Sequence, residues 1–457
     1  MTTQAADMLA IVNHGPEDYR LERIARPKAK ARELVVKIAA CGVCASDGKC
    51  HSGAGMFWGG SGNPPWVKAP VVPGHELFGY VVEAGEGAEE HFGVKVGDRV
   101  TAEQIVPCGK CKFCTSGKYW MCEVHNIIGF QRDVAEGGMA EYMLLTSTAL
   151  VHKIPESISF DDASIIEPLA CAIHTVNRAE IGLEDVVVIA GAGPLGLFMV
   201  QIAHLKTPKK LIVVDPVDAR LELAKTYGAD LTINPAKEDV DAIVRSLTGG
   251  YGCDVYIEAT GNPVGVNQGL QIIRKLGRFV EFSVFGKEAT ADWSIIGDRK
   301  ELDIRGAHLS PYTYPVAIDL LERGLVTSKG IVTDKYSLSD WEAGFECAHS
   351  VDSIKVLLVP DEKYPFPPLR RRNSYSTPGR KPRVGLFAPR SQENPHTLDE
   401  ENDGLRHWCR YRHTKHQSAA RRRRRQDRRH RVARVPVAQA RNARAAGKRG
   451  VSASQKR

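Results

Sequence analysis

The first 160 residues contain short runs in which apolar and polar positions alternate. A period of two is typical of strands with one buried and one solvated face. It predicts strands over Leu9–Val12, Glu33–Ile38 and Leu77–Val82, and residues 93–100 predict a turn that leads into another strand. The sequence therefore predicts a β-rich first domain over residues 1–160.

The pattern changes after residue 160. A helical apolar stretch runs from Ile165 to about Ala179, and Val186–Ala190 is continuously apolar, as expected of a strand buried on both faces of a parallel sheet. Strands separated by helical segments are predicted over Leu211–Asp215, Leu231–Asn234, Cys253–Glu258, Arg278–Phe282 and Leu302–Arg305. Strands that alternate with helices over 161–304 predict an α/β fold with a doubly wound parallel sheet.

The next segment, 305–360, predicts one helix over Pro315–Arg323 and a final strand over Ile354–Val359. We interpret it as the chain crossing back to complete the first domain. No internal repeat is visible in the sequence.

The net charge of +8 combines two oppositely charged parts. Residues 361–457 contain 27 Lys and Arg against 8 Asp and Glu, a net of +19, whereas the preceding residues contain 35 against 46, a net of −11. The run Arg421–Arg425 can neutralise phosphates, which makes a nucleic-acid-binding role one hypothesis. Because this tail has few apolar residues, disorder is the simpler expectation. Its abrupt change of composition also fits a frameshift or a wrongly joined gene model.

Membrane insertion is not expected, because no apolar run approaches the roughly 18 residues of a membrane span. The N-terminus, Met1–Gln4, lacks a basic and apolar leader. Eleven cysteines are present, and four of them cluster between 108 and 122. Thiols used as metal ligands suit a reducing compartment, so a cytoplasmic location is expected.

The stretch from Cys41 to Glu76 has the chemistry of a catalytic zinc site. Zinc binds a thiolate, an imidazole and a carboxylate, and a catalytic site keeps one position open for water or substrate. Cys44, His75 and a glutamate would supply that set, although a lone Cys or His is more often part of a packed core. Ser46 places a hydroxyl near the open position, where it can take the proton of an alcohol.

Two further residues near this stretch are assigned from their chemistry. Asp47 is expected to accept a hydrogen bond from an imidazole or a backbone N–H and so to orient a ligand. Glu167 lies in an apolar helical stretch, where a carboxylate is costly to bury without a cation, so it is a candidate for the remaining zinc ligand. Phe57 and Trp58, in a Gly-rich segment, are candidates to line the pocket or to anchor a loop to the core.

Four cysteines form the strongest local motif. Their C-x2-C-x2-C-x7-C spacing can close a tetrahedral site with no open position, which predicts a structural zinc lobe over 103–125. The alternatives are an iron–sulfur cluster or idle thiols. The predicted ligands are Cys108, Cys111, Cys114 and Cys122.

A glycine-rich turn between a predicted strand and a predicted helix has the context of a dinucleotide fingerprint. Its glycines allow a tight turn and close approach of a pyrophosphate at a helix N-terminus. Asp215 ends the next strand, where it would accept hydrogen bonds from the ribose hydroxyls and favour NAD over NADP. Arg220 would stack on the adenine or, alternatively, pair with a phosphate. The residues assigned to the turn are Gly191, Gly193, Pro194, Leu195 and Gly196.

With these motifs in this order, the chain from about residue 8 to 360 resembles the zinc-dependent medium-chain alcohol and polyol dehydrogenases. The resemblance rests on Cys41–Asp47, Gly74–Glu76, the four-cysteine lobe and Gly191–Gly196. It implies a first domain that is a chaperonin-10-like β-barrel and carries the catalytic zinc, a Rossmann NAD domain over 161–304, and an active site in the cleft between them.

The resemblance also implies roles for individual residues. Cys44, His75 and Glu76 correspond to zinc ligands, and Glu167 replaces the cysteine of simple alcohol dehydrogenases, as in the sorbitol dehydrogenase branch. Which of the two glutamates binds the metal at a given moment is left open. Ser46 occupies the proton-relay position.

Two residues are alternatives for the next step of the relay. Lys49 stands where many relatives have a relay histidine. His51 lies two residues further on, and a core or surface role is the commoner one for such a histidine.

A narrower resemblance, to bacterial erythritol/L-threitol dehydrogenases, rests on Cys44–Cys50, Phe57–Gly59, Glu103–Cys108 and Asp254–Glu258. It implies oxidation of a four-carbon polyol to a ketose such as erythrulose, with NAD as the acceptor. Sorbitol, xylitol, 2,3-butanediol and threonine are the alternative substrates within the same family. Relatives commonly form dimers or tetramers, so a homo-oligomer is expected.

Overall fold

A computed structural model describes residues 7–60 and 64–361. The predicted disordered tail, 361–457, lies outside the described residues except for Asp361. None of the helices in the described ranges is both long and apolar enough to cross a membrane.

The first part of the chain is built mainly of short strands. Strands β1 and β2 form a two-stranded sheet in which β2 is mostly partly exposed, whereas the residues of β3 are almost all buried. The strands are β1 (Asp7–Gly15), β2 (Asp18–Ala25), β3 (Leu34–Gly42), β4 (Glu76–Ala84), β5 (Arg99–Ala102), β6 (Ile105–Val106), β7 (Asn126–Ile127), β8 (Tyr142–Leu145) and β9 (Val151–Lys153).

Short helices connect these strands, and one long helix leaves them. The helices are α1 (Ala45–His51), α2 (Gly55–Trp58), α3 (Ala88–Phe92), α4 (Lys112–Thr115), α5 (Phe160–Ala163) and α6 (Ile166–Ala179), with a 3-10 turn over Tyr119–Met121. Helix α2 lies in the Gly-rich segment that contains Phe57 and Trp58. Helix α6 matches the predicted apolar helix, and Pro168 is tolerated because it falls in the first turn.

Alternating strands and helices follow. The strands are β10 (Val186–Ala190), β11 (Lys210–Val214), β12 (Leu231–Ile233), β13 (Cys253–Glu258), β14 (Ile273–Glu281) and β15 (Asp303–Gly306). The helices are α7 (Pro194–Leu205), α8 (Asp218–Thr226), α9 (Val240–Leu247) and α10 (Pro263–Ile272), with a 3-10 turn over Trp293–Ile295. Strand β14 begins five residues before the predicted Arg278, and its first half includes an irregular step at Leu276, which has a positive φ.

The chain ends its described part with α11 (Tyr314–Glu322), β16 (Val332–Ser337), a 3-10 turn over Leu338–Asp340, α12 (Trp341–Ala348) and β17 (Lys355–Val359). Strand β17 pairs antiparallel with β3, so the late segment joins the sheet of the first part.

Two sheets organise the described chain. The six-stranded sheet has the order β12-β11-β10-β13-β14-β15 with every pair parallel, which is the doubly wound arrangement. The seven-stranded sheet follows the path β16-β17-β3-β4-β5-β9, and β8 also pairs with β3. The predicted fold class, a chaperonin-10-like barrel with a Rossmann sheet, is confirmed for the described residues.

Helix α6 joins the cores of the two sheets. Its Ile166, Leu169 and Ile173 belong to one buried cluster that contains Phe78 of β4 and Ile189 of β10. Burying a side chain of this size contributes about 1.5–3 kcal/mol, so α6 ties the two sheets together through packing. Residues at the start of α6 are thereby fixed between the barrel and the parallel sheet.

Candidate active site

One strand pair brings the two halves of the predicted catalytic stretch together. Strand β3 ends at Gly42 and β4 begins at Glu76, and these two residues face each other in the antiparallel register. Cys44 follows β3 directly and His75 precedes β4 directly. A Cβ at position 42 would overlap the Glu76 carboxylate, so a larger residue there would have to displace that side chain.

Three of the predicted zinc ligands form a donor set. One potential ligand atom from each of Cys44, His75 and Glu76 lies within 4.8 Å of the others. Glu167 is outside this set, although it lines the same cavity and its charge acts on His75. A thiolate, an imidazole and a carboxylate are a donor combination that zinc accepts in catalytic sites.

Asp47 makes one of the two hydrogen bonds that its chemistry allowed, the one with a backbone N–H, and it lies beside the imidazole of His75. It lies in the first turn of α1, where Oδ2 accepts a 2.9 Å hydrogen bond from the backbone N–H of Cys44. Its Oδ1 lies 3.6 Å from Nδ1 of His75, and both of these atoms are buried without a hydrogen-bond partner among the described residues. The side chain therefore fixes the start of α1 and faces the imidazole of the donor set.

Each buried glutamate of the site has its own partner. Lys355, from β17, donates to both carboxylate oxygens of Glu76 at 2.8 and 2.6 Å and to the carbonyl oxygen of Val43. Glu167 instead accepts a 2.6 Å hydrogen bond from the side-chain amide of Gln104. Glu76 thus has a buried cationic partner, whereas Glu167, for which the sequence predicted a cation, is hydrogen-bonded to an amide.

The electrostatics of the site fit a bound cation. Burial and the neighbouring Glu76 carboxylate raise the pKa of Glu167 to about 7. Burial alone would lower the pKa of His75, but Asp47, Cys44 and Glu167 outweigh it and raise that pKa well above its ordinary value. These acidic groups lie close together in a buried site, which favours the binding of a proton or a cation. A divalent zinc would neutralise their charge.

A cavity of about 500 Å³ opens in front of the donor set. The barrel side contributes Cys44, Ser46 and His75, together with an apolar wall that includes Phe57. The parallel sheet contributes the loops that follow β13 and β14, namely 259–261 and 282–284. Such loops at the carboxyl ends of parallel strands are where nucleotide-binding sheets hold their ligands.

The two aromatic candidates of the Gly-rich segment differ in position. Phe57 lines the cavity and stacks on Phe130 at 5.4 Å between ring centroids. Trp58 is not among the cavity-lining residues of the described chain, and its indole N–H donates to the carbonyl oxygen of Cys50 at 2.7 Å. The position of Phe57 therefore fits a residue that lines the pocket, and the position of Trp58 fits a residue that anchors the loop.

The relay candidates also differ. Ser46 lines the cavity with Oγ 3.4 Å from Nε2 of His75. Lys49 lines it as well, and its ammonium donates to the carbonyl oxygen of Val284 across the cleft. The His51 ring instead packs among aromatic rings, 4.8 Å from Tyr19, which is the core role that its sequence context allowed.

The four predicted structural ligands converge. The sulfur atoms of Cys108, Cys111, Cys114 and Cys122 lie within 4.8 Å of one another, and all four thiols are free. Backbone N–H groups of Cys114 and Glu123 lower the pKa of Cys111 to about 6. Because metals bind the thiolate form, amides that point at these sulfurs fit a tetrahedral zinc with no open position.

The glycine-rich turn has room for a pyrophosphate. Gly191 has a φ of +100°, and a Cβ there would lie 2.6 Å from the carbonyl oxygen of Ala259. At Gly193 a Cβ would meet nothing within 4 Å, so open space faces the N-terminus of α7. Pro194 is the first residue of that helix, and Leu195 lines the cavity. A Cβ at Gly196 would overlap the carbonyl oxygen of Gly191. The turn fits a dinucleotide.

Asp215 and Arg220 lie beside this turn. The Asp215 carboxylate is buried and accepts from the backbone N–H groups of Ala192 and Val217, at 2.7 and 2.8 Å. These two bonds fix the acid at the end of β11 against the glycine turn. The Arg220 guanidinium donates to the carbonyl oxygens of Val351 and Ser353, and its contact with a cofactor stays a prediction.

The sequence reasoning missed two residues that hold the glutamates. Lys355 stands in the apolar run that forms β17, and a lone lysine there signals a buried anionic partner without identifying it. Gln104 lies between β5 and β6 and carries no comparable signal, because a glutamine is ordinary in a surface turn.

Comparisons with known proteins agree with this geometry. Residues 30–156 match the family model of the alcohol dehydrogenase GroES-like domain, and residues 194–323 match that of the zinc-binding dehydrogenases. The chain is 49% identical over 354 residues to the erythritol/L-threitol dehydrogenase of Mycolicibacterium smegmatis, which covers 77% of this chain and 98% of that protein. It is 33% identical over 356 residues to the sorbitol dehydrogenase of Halalkalibacterium halodurans, with the same coverages.

Solved structures give the same result. A zinc-binding dehydrogenase of Sinorhizobium meliloti bound to NADP superposes with a TM-score of 0.69 at 27% identity, and covers 78% of this chain and 100% of its own. An Escherichia coli alcohol dehydrogenase complexed with NADH gives 0.68 at 28% identity, covering 78% and 99%. The predicted family resemblance and the prediction of an enzyme are confirmed, and none of these matches supports the nucleic-acid-binding hypothesis.

Proposed function

The chain belongs to the zinc-dependent alcohol and polyol dehydrogenases, and on this premise we propose that it oxidises a secondary hydroxyl of erythritol or L-threitol to a ketose such as erythrulose, with NAD as hydride acceptor. One observation carries the proposal: a single cavity meets both the donor set of Cys44, His75 and Glu76 and the loops at the carboxyl ends of β13 and β14. The 49% identity to the mycobacterial enzyme supports the tetritol assignment.

Cys44, His75 and Glu76 would hold the catalytic zinc, with Glu167 as the exchangeable fourth candidate. Bound there, zinc supplies a Lewis acid that makes a substrate hydroxyl more acidic. Asp47 orients the imidazole, and Lys355 holds the Glu76 carboxylate in place from behind. The second cluster, Cys108, Cys111, Cys114 and Cys122, would hold a structural zinc.

Ser46 receives the substrate proton in this proposal. Its Oγ lies beside His75 and faces the cavity, so a hydroxyl held in front of the donor set is within its reach. Lys49 is a charged group on the same cavity wall, and burial lowers its pKa, which eases its exchange of a proton. A chain from Ser46 toward Lys49 would carry the proton away from the dry interior.

The glycine turn and Asp215 would position the dinucleotide, whose nicotinamide supplies the hydride acceptor. A carboxylate fixed at the end of β11 accepts from ribose hydroxyls and repels a 2′-phosphate, which is the reason for proposing NAD rather than NADP. Thr260 and Ser283 line the cavity after β13 and β14, and their hydroxyls would be available there to a bound cofactor or substrate.

The test is NAD reduction, followed by absorbance, with erythritol, L-threitol, D-threitol, xylitol, sorbitol, threonine and 2,3-butanediol, with and without a zinc chelator. Turnover that is confined to tetritols and lost with the chelator is the expected result. Turnover of another alcohol would reject the tetritol assignment while leaving the dehydrogenase intact. Activity that survives complete zinc removal would reject the metal-dependent reaction.

The cellular setting is part of the proposal. All ten cysteines among the described residues are free thiols, and free thiols persist best in a reducing compartment such as the cytoplasm. A homo-oligomer is also proposed, because β15 is an edge strand and its Ile304 is 42% exposed. Cell fractionation tests the location, and light scattering of the purified protein tests the assembly.

A further inference from the structure

Two stacked histidines line the cavity and have no role in the steps described above. The rings of His125 and His308 are 5.1 Å apart between centroids and lie within 19° of parallel. They come from separate parts of the chain: His125 follows the four-cysteine lobe, and His308 follows β15. Both contribute to the wall of the cavity that the donor set faces.

A row of aromatic rings connects this pair to the donor set. Phe130 lies 5.6 Å from His75, Trp66 lies 5.2 Å from Phe130, and His125 lies 5.7 Å from Trp66, all between ring centroids. Phe130 and Trp66 present carbon to the cavity. The stacked histidines lie at the opposite end of this row from His75, and both line the cavity.

The two imidazoles are available to a ligand. Within the described ranges neither side chain has a hydrogen-bond partner, although both are partly buried. Burial, together with His125 and His174, lowers the pKa of His308 to about 4, so this ring is neutral near pH 7. A neutral imidazole has one N–H donor and one acceptor nitrogen.

We propose that His125 and His308 recognise the hydroxyl groups of a polyol that are remote from its reacting carbon, and so select polyols over simple alcohols. This inference rests on the proposed function and names the residues that would give that site its substrate class. A hydroxyl both donates and accepts, which matches the donor and the acceptor nitrogen of an imidazole. An alcohol with a methyl group in that place would leave both nitrogens unpaired in a partly dry site, and this is the basis of strong discrimination.

The experiment compares a polyol with a matched simple alcohol. Variants His125→Phe and His308→Phe keep a flat ring in the stack and remove the nitrogens. We measure kcat/KM for L-threitol, erythritol, sorbitol and 2-butanol in the zinc-loaded full-length protein. Each variant is expected to lose about tenfold for the polyol, the effect of one neutral hydrogen bond, while the value for 2-butanol stays level or rises.

Two further variants separate recognition from folding. His308→Gln retains a donor and an acceptor and is expected to keep more of the polyol preference than His308→Phe. His174→Phe is the matched control, since His174 neighbours His308 and packs on Trp120 but is not among the residues that line the cavity. It is expected to leave the ratio of polyol to 2-butanol activity unchanged.

The outcomes distinguish the two proposals. A wild type that oxidises sorbitol but neither tetritol rejects the tetritol assignment, and the ratio of sorbitol to 2-butanol then decides the role of the histidines. If the wild type oxidises polyols and the ratio of polyol to 2-butanol kcat/KM is unchanged in both phenylalanine variants, the histidine proposal alone is overturned. A wild type that prefers 2-butanol to every polyol, or that is inactive on all four compounds, overturns both.

Discussion

Lys355 and Glu76 form a buried ion pair at the back of the donor set. The ammonium group lies 2.8 and 2.6 Å from the two carboxylate oxygens, and the side chains are only 3% and 2% exposed. The pair joins β17, from the end of the described chain, to the first residue of β4. It therefore couples the closure of the barrel to the position of a predicted zinc ligand.

Removing the ammonium group of Lys355 should destabilise the protein. Lys355→Met leaves the Glu76 carboxylate buried without its partner, and breaking a buried pair in this way costs about 3–5 kcal/mol. The free energy of unfolding from urea denaturation measures it. The double variant Lys355→Met with Glu76→Gln should recover part of the loss, because no uncompensated charge remains. A single variant as stable as the wild type would show that the pair contributes nothing.

Gln104 is predicted to position Glu167. Its amide N–H donates to Glu167, while Ser310 donates to its amide oxygen at 2.9 Å and so fixes the orientation of the amide. Gln104→Leu removes the donor, and loss of a group that orients a metal-site ligand typically lowers activity about 10–100-fold. Steady-state kinetics should show the loss in kcat with KM for NAD unchanged. Ser310→Ala should give a smaller loss, and equal rates for all three proteins would exclude the positioning role.

Zinc content should separate the two metal sites. Cys44→Ala is expected to abolish turnover and to lose the catalytic zinc, while the fold and NAD binding persist. Cys111→Ser is expected to lose the structural zinc and to lower the midpoint of thermal unfolding, because binding energy at such a site is folding energy. Elemental analysis and circular dichroism provide the readouts. Cys347→Ser, which changes a free thiol outside both clusters, is the control and should match the wild type.

Cofactor preference should depend on Asp215. Asp215→Ala removes the acceptor for the ribose hydroxyls and the charge that repels a 2′-phosphate, so the lead of NAD over NADP in kcat/KM should shrink about 10–100-fold. Asp218→Ala changes a nearby exposed acid that pairs with Lys237, and it should leave the preference as it was. An identical ratio in the Asp215 variant would remove that residue from the cofactor site.

Glu281 should make stability depend on pH. Burial and the neighbouring Glu258 raise its pKa from the ordinary 4.5 to about 7, and its Oε1 is buried without a hydrogen-bond partner in the described residues. The folded state therefore keeps a proton that the unfolded chain has lost, so stability falls as pH rises from about 4.5 to 7.

The matching variant removes this dependence. The free energy of unfolding of Glu281→Gln should exceed that of the wild type by more at pH 8 than at pH 5. The difference between the two pH values should be roughly 1–2 kcal/mol, after allowance for partial solvent screening. Denaturant unfolding at the two pH values gives the difference. Glu288→Gln, at an exposed position, should show no such gain. A gain for Glu281→Gln that is the same at both pH values would contradict the ionisation argument.

The sequence by itself determined the elements and the local motifs. The period of the apolar residues predicted α6 over 165–179 and β10 over 186–190, within one residue of the structure. The spacing of the four cysteines predicted a cluster that the structure assembles. These features depend on residues that are close in the chain, where the geometry of a strand, helix or turn alone decides which side chains meet.

Only the tertiary structure decided which distant groups became partners. A lysine in the apolar run of β17 indicates a buried acid, but the antiparallel pairing of β17 with β3 is what selects Glu76 instead of Glu167. The stack of His125 on His308 likewise depends on where the lobe and the segment after β15 meet. Such pairs arise when segments that are far apart in the chain pair or pack together. No local pattern encodes them, because the sequence around each residue does not specify the distant group that it contacts.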